Sequence, residues 1–186
     1  YPKCTSFFFS FPGKGTFFGS TPERLIRLKN GFIQTEALAG TIARGNNMEE
    51  DRVLAEKLKR SHKEREEHSL VMEQIIRKLE PIVPDIKYSS SPHIMKLKNV
   101  QHLQTPITGE LGKDEHILNL VSLLHPTSAV AGTPTDQAME VINEMESHDR
   151  GWYSGPIGWI NEKGDGEFYV ALRSALVKDE EAHVFA

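Results

Sequence analysis

Glu23-Arg24-Leu25-Ile26-Arg27-Leu28-Lys29-Asn30-Gly31-Phe32-Ile33-Gln34-Thr35 is the stretch whose reading fixes the architecture. Charged and apolar residues roughly alternate up to Leu28, as on a strand with one buried face, and Asn30-Gly31 is the strongest short-range signal for a tight hairpin loop. An antiparallel hairpin ending near Glu36 is expected. Working outward towards the N-terminus, residues 5–11 and 15–19 are aromatic-rich and β-prone, separated by the turn composition Pro12-Gly13-Lys14-Gly15. They predict another hairpin. Towards the C-terminus the period changes. Over residues 48–79 the apolar side chains Val53, Leu54, Leu58, Val71, Ile75 and Leu79 recur at three- and four-residue steps without an internal Gly or Pro, which predicts one long helix ended by Pro81 and Pro84. The charge crowded into residues 59–68 reads as a solvated face laced with i,i+4 pairs.

Short strands are expected at 86–88 and 100–103, and helices at 114–124 and 135–145, the second capped by Thr135-Asp136. Residues 157–160 and 168–176 flank the turn-rich segment Asn161 to Gly166 as a third hairpin, and 182–186 read as a final strand. Hairpins separated by long helices predict an α+β fold, antiparallel β-sheets flanked by helices, in a single domain over residues 1–186.

Composition excludes several function classes. With 22 Lys and Arg against 26 Asp and Glu the net charge is -4, and no clustered basic face is visible, which argues against a nucleic-acid partner. The apolar runs fall well short of the ~20 residues that a membrane-spanning helix needs, so no membrane partner is expected. The one cysteine, Cys4, excludes an internal disulfide and fits a cytoplasmic location. There is no initiator Met, no signal-peptide pattern, and the last strand stops within an apolar run; the chain is therefore expected to be part of something longer. Local spacing draws no metal cage and no Gly-rich phosphate loop.

Some residues could carry chemistry, and each also has a plainer reading. The stretch Asp149-Arg150-Gly151-Trp152-Tyr153-Ser154-Gly155-Pro156-Ile157-Gly158-Trp159 joins backbone-permissive glycines to Arg and Tyr, side chains suited to a carboxylate; it could equally be a Gly-rich turn into a strand. Thr21-Pro22-Glu23 sets a carboxylate where two strands meet, or an exposed Glu in a turn. Glu67 shares a helix face with Leu70, Val71 and Gln74, or simply pairs with Lys63. At Gly40-Thr41 a strand breaking into a loop could offer amides and a hydroxyl to an anionic oxygen, or merely turn. His102 in a β-prone run reads as a core histidine as readily as a site residue. His125 closes a helix, where its charge would suit the dipole. Arg173 on an apolar strand would be buried and need an anionic partner, from the protein or from a ligand.

In order, the segments Phe18 to Leu25, Glu36 to Thr41, Lys63 to His68, His102-Leu103, Leu124 to Thr127 with Gly132-Thr133-Pro134, Asp149 to Gly158, and Arg173 resemble the chorismate-utilising enzymes. The resemblance is strongest to isochorismate synthases of the menaquinone type. It implies that Glu23 is the general acid that protonates the departing ring hydroxyl, and that Glu67 is a ligand of Mg²⁺, the cofactor that grips the substrate's ring carboxylate. It further implies that Gly40, Thr41, His102 and Ala129 contact chorismate, the small-molecule partner, while Tyr153 and Arg173 hold its enolpyruvyl carboxylate. The family's general-base Lys, a second Mg²⁺-binding Glu and a substrate-binding Lys have no counterpart in this chain. The expectation is a C-terminal portion of a larger synthase, inactive alone. Rival readings are salicylate synthase, anthranilate or aminodeoxychorismate synthase, and a non-catalytic ligand-binding fragment.

Overall fold

A computed structural model describes residues 3–185; Tyr1, Pro2 and Ala186, the last being the end of the expected final strand, lie outside the described residues. Among the described residues, eleven strands and five helices follow in the order β1 (Thr5–Phe11), β2 (Gly15–Thr21), β3 (Arg24–Lys29), β4 (Phe32–Ala43), α1 (Met48–Arg60), α2 (His62–Leu79), β5 (Lys87–Tyr88), β6 (His93–Lys96), β7 (Val100–Glu110), α3 (Ile117–Leu124), α4 (Ser128–Ala131), α5 (Thr135–Met145), β8 (Pro156–Ile160), β9 (Gly166–Val170), β10 (Ser174–Lys178) and β11 (Glu181–Phe185). A four-stranded sheet runs β1-β2-β10-β11; a seven-stranded sheet runs β5-β7-β4-β3-β9-β8, with β6 also on β7. Every pairing is antiparallel. The α+β reading holds. Among the described residues, no helix is long and apolar enough to cross a membrane.

The three expected hairpins form. At Asn30-Gly31 both residues take positive φ, 50° and 76°, as a two-residue turn matched to strand twist requires, and Lys29 faces Phe32 across it. The strand after it does not end near Glu36. β4 runs on to Ala43 because Gly40, at φ 77°, absorbs one extra residue as a bulge: the pairing with β7 shifts between Ala39 and Thr41.

The single long helix expected over 48–79 is two. Ser61 adopts extended backbone, φ -65° and ψ 118°, and its hydroxyl accepts from the Glu64 amide, so it ends α1 and caps α2. No Gly or Pro marks the break. The expected cap of the later helix also moves: Thr135 is its first residue and Pro134 stands at the N-cap without a side-chain bond, while the Thr135 hydroxyl is engaged elsewhere.

Helices α2 and α3 cover one face of the larger sheet. Val71, Ile75 and Leu79 from α2 and Ile117, Leu120 and Leu124 from α3 pack on Leu25, Ile26, Ile33, Ala37 and Ile107. Burying each such side chain contributes roughly 1.5–3 kcal/mol. On α1, Asp51 is gripped by Arg44 at 2.6 Å and Lys96 at 2.6 Å, which hold its carboxyl well below the ordinary range and tie α1 to the ends of β4 and β6.

Twice the chain leaves one sheet for the other, and both crossings matter below. The first runs from β2 to β3 through Pro22-Glu23. The second runs from β9 to β10 through Ala171-Leu172-Arg173, so the expected continuous strand 168–176 is divided between two sheets. The crossings are stitched together: the Val170 amide donates to the Glu23 carbonyl at 3.0 Å and the Ser20 amide to the Arg173 carbonyl at 3.1 Å.

Candidate functional site

The two crossings bring Glu23 and Arg173 to one seam, where a cavity of about 490 Å³ opens. Its walls come from four places: the crossings, the β4 bulge with Gly40 and Thr41, the α2 face with Glu67 and Leu70, and the α4 segment with Ala129. His102 of β7 completes it. Seven of the eight candidate residues therefore share one space; Tyr153 does not.

Glu23 is not the exposed turn residue of the plainer reading. It is 8 % exposed, and burial, opposed by a hydrogen bond from Thr127 and reinforced by the nearby charge of Glu36, pushes its carboxyl up to about 7. The Thr127 hydroxyl donates to its Oε1 at 3.5 Å. A desolvated carboxyl with one weak donor keeps its proton near neutral pH, which suits proton donation.

Glu67 combines both of its readings. It pairs with Lys63 at 3.4 Å with its side chain 48 % exposed, and it lines the cavity. Such an exposed carboxylate fits Mg²⁺, which takes one or two protein carboxylates and fills its octahedron with water and substrate oxygens. Among the described residues no group of three or more His, Cys, Asp or Glu could form a closed metal cage.

The Gly40 bulge aims Thr41 at His102. The Thr41 hydroxyl lies 2.9 Å from His102 Nδ1, and an Arg173 guanidinium N–H donates to Nε2 at 3.3 Å. Since Arg173 can only donate, Nε2 accepts and the ring proton is assigned to Nδ1. Burial and the Arg173 charge hold the imidazole below its ordinary value, favouring its neutral form. The Thr41 amide itself is engaged, donating to Glu64 Oε2 at 2.8 Å.

Arg173 departs from the expectation of burial. It is exposed, sits in the left-handed region at φ 49°, and among the described residues no carboxylate lies within ion-pair distance of it. The sheet crossing, not an apolar strand, sets its position. Gly19 makes that crossing possible, because a Cβ there would come within 2.9 Å of the Arg173 carbonyl and 2.6 Å of the Phe7 ring.

Tyr153 lines a neighbouring cavity of about 650 Å³ with His125 and Arg150. Its ring stacks on Phe185 at 4.9 Å. Arg150 is bound to Glu146 at 2.7 Å and donates to the Val130 carbonyl at 3.3 Å, so this arginine has a structural partner. The glycine-rich stretch braces the second crossing, with the Ser154 amide on the Ala171 carbonyl at 3.0 Å and the Ala171 amide on the Gly155 carbonyl at 2.9 Å. His125 caps the end of α3, and burial lowers its basicity, so it carries no charge for the dipole.

Sequence reading passed over Thr127, Glu64 and Gln74. Thr127 follows His125-Pro126 and could have been noticed for that; Glu64 precedes Glu67 by one helical turn and shares its face. Gln74 gave no signal beyond its place on the α2 face.

The family described as chorismate binding enzyme matches residues 1–186. The chain is 45 % identical to the salicylate biosynthesis isochorismate synthase of Pseudomonas aeruginosa over 94 % of this chain and 37 % of that one. It is 41 % identical to isochorismate synthase MenF of Bacillus subtilis, over 98 % of this chain and 39 % of the relative. Among solved structures, the menaquinone-specific isochorismate synthase MenF of Escherichia coli superposes with a TM-score of 0.91 at 35 % identity, covering 98 % of this chain and 42 % of that one. The chain thus spans about two fifths of the length of these relatives.

Proposed function

The chain belongs to the family of chorismate-binding enzymes, and from that membership we propose that it carries the proton-donating part of an isochorismate synthase site. In this reaction water adds to ring carbon C2 of chorismate while the C4 hydroxyl departs and the double bond shifts. The leaving oxygen needs a proton. Glu23 supplies it, and the observation that carries this reading is its buried carboxyl, pushed up to about 7, in one cavity with Glu67 and Arg173.

The other groups bind and orient. Arg173, without an acidic partner among the described residues, is available to an anionic substrate group, and bidentate recognition of a carboxylate is what guanidinium does best. Neutral His102 and the Thr41 hydroxyl line the floor as hydrogen-bonding groups. Glu67 would hold Mg²⁺, which when bound neutralises and orients the ring carboxylate. Clamping both ends of a dianion converts encounter into alignment. Among the described residues no lysine lines the cavity; the group that accepts the proton of the attacking water is assigned to the length of the relatives that this chain does not span. Tyr153 is proposed to meet the substrate only when that remainder packs on the cavity it lines.

Likeness to the two MenF proteins supports a product that feeds menaquinone. The test is to incubate the longest natural polypeptide carrying this chain, and the chain alone, with chorismate and Mg²⁺ and to separate the products. Isochorismate from the longer form alone is expected. Salicylate or an aminated product would replace the assignment, and no product from either would leave a binding role.

A further inference from the structure

Gln74 stands on the same face of α2 as Glu67, two turns on, and its amide reaches across to the wall opposite. The Ser128 amide donates to Gln74 Oε1 at 2.7 Å, and Gln74 Nε2 donates to the Thr135 hydroxyl at 2.9 Å. That hydroxyl in turn donates to the Gly132 carbonyl at 3.4 Å. The N-cap residues of α4 and α5, Thr127 and Pro134, make no side-chain cap bond. One amide from a third element therefore serves the start of α4 and ties down the first residue of α5.

What lies between the two anchor points is cavity wall: Ser128, Ala129, Gly132 and Thr133 all line it. Immediately before the first anchor stands Thr127, the donor to Glu23. Four-residue α4 cannot hold a position by its own hydrogen bonds, since the first turns of a helix are costly to form and most of their stability comes from packing. The segment is held from outside.

We propose that Gln74 is a positioning residue that fixes the 128–133 wall at a set depth over the cavity, so that a bound ring is gripped between α2 and α4. As a statement about substrate it rests on the proposed function. Both hydrogen bonds exist without substrate, so their loss weakens binding only by the ordering of the segment that a bound ring must then impose, expected as about a tenfold loss in affinity.

The test uses the longest natural polypeptide. Gln74→Met keeps length and removes both bonds; Gln74→Glu keeps the acceptor for the Ser128 amide but replaces the donor to Thr135 by an oxygen, which the Thr135 hydroxyl meets only by releasing the Gly132 carbonyl. For Gln74→Met, KM for chorismate is expected to rise about tenfold with kcat changed less than about threefold; Gln74→Glu keeps one anchor but adds a negative charge towards a dianionic substrate, so its rescue is read from hydrogen exchange and not from KM. Amide hydrogen exchange over 128–135 is expected to quicken in Gln74→Met and to recover in Gln74→Glu at the Ser128 end of the segment, where the acceptor is kept. Should Gln74→Met not fold, Thr135→Val, which cuts one of the two anchors, is expected to move both readouts in the same direction by less. Unchanged exchange in the segment overturns the proposal whatever the enzyme does, as does a fall in kcat with KM unmoved. Absence of turnover in the wild-type protein with exchange altered as expected would instead strike at the chorismate assignment and leave the clamp standing.

Discussion

Glu23 and Glu67 are carboxylates on one cavity, and their surroundings differ. Glu23 is closed in, with the Thr127 hydroxyl as its side-chain donor; Glu67 stands half in solvent beside Lys63. For Glu23 the pH dependence has a definite sign. Its folded value, about 7, lies above the ordinary 4.5, so between those pH values the native protein binds a proton that the unfolded chain releases. Stability is therefore fully present below 4.5 and is lost as pH rises through about 7, by about 3 kcal/mol in all. Glu23→Gln is expected to flatten that loss, read as urea midpoints at about pH 5 and about pH 8, and, in the longer polypeptide, to abolish the isochorismate formation proposed for it. Gly19→Ala is expected to displace Arg173 and raise KM for chorismate about tenfold or more, checked by steady-state kinetics. The residue roles were only partly legible in sequence. Burial of Glu23 arises from a crossing between sheets, and no local pattern around Thr21-Pro22-Glu23 announces that neighbours from residues 127 and 170 will close over it.

At the scale of elements, the hairpins could be read because their signals are local: Asn30-Gly31 and Pro12 to Gly15 dictate turns by backbone sterics alone. The Gly40 bulge could not, since it is a property of the register between β4 and β7 and not of either strand. Gly40→Ala is expected to cost about 1–3 kcal/mol, because φ is 77° and a Cβ would meet the Glu64 carbonyl at 3.0 Å; chemical denaturation measures it. The break between α1 and α2 was hidden by the charged run around Ser61, which reads as an uninterrupted solvated face. Ser61→Ala is expected to remove about 1 kcal/mol of stability through the lost cap on α2, with the same assay. In the segment 168–176, apolar alternation is equally compatible with one strand or two, and only the left-handed backbone at Arg173 betrays that the chain changes sheets there.

Across the whole molecule, the site exists because two sheets exchange strands at one seam. Each crossing contributes an ionisable residue, and α2 and α4 supply the facing walls. That arrangement explains how residues separated by 150 positions, Glu23 and Arg173, come to line one cavity of about 490 Å³. Motif order along the chain foretold this meeting through resemblance to the chorismate-utilising enzymes; periodicity and composition could foretell only an α+β fold. Tyr153 lies outside that cavity, and its stacking partner, Phe185, is set by how β11 docks, which no local pattern around the glycine-rich stretch announces. The most direct test of the account is the proton inventory of Glu23, followed as the protonated-carboxyl infrared band in the difference between wild type and Glu23→Gln across a pH titration. A band that persists through mildly acidic pH and fades near 7 is the expected result; a Glu23 carboxyl already ionised at about pH 5 would contradict it.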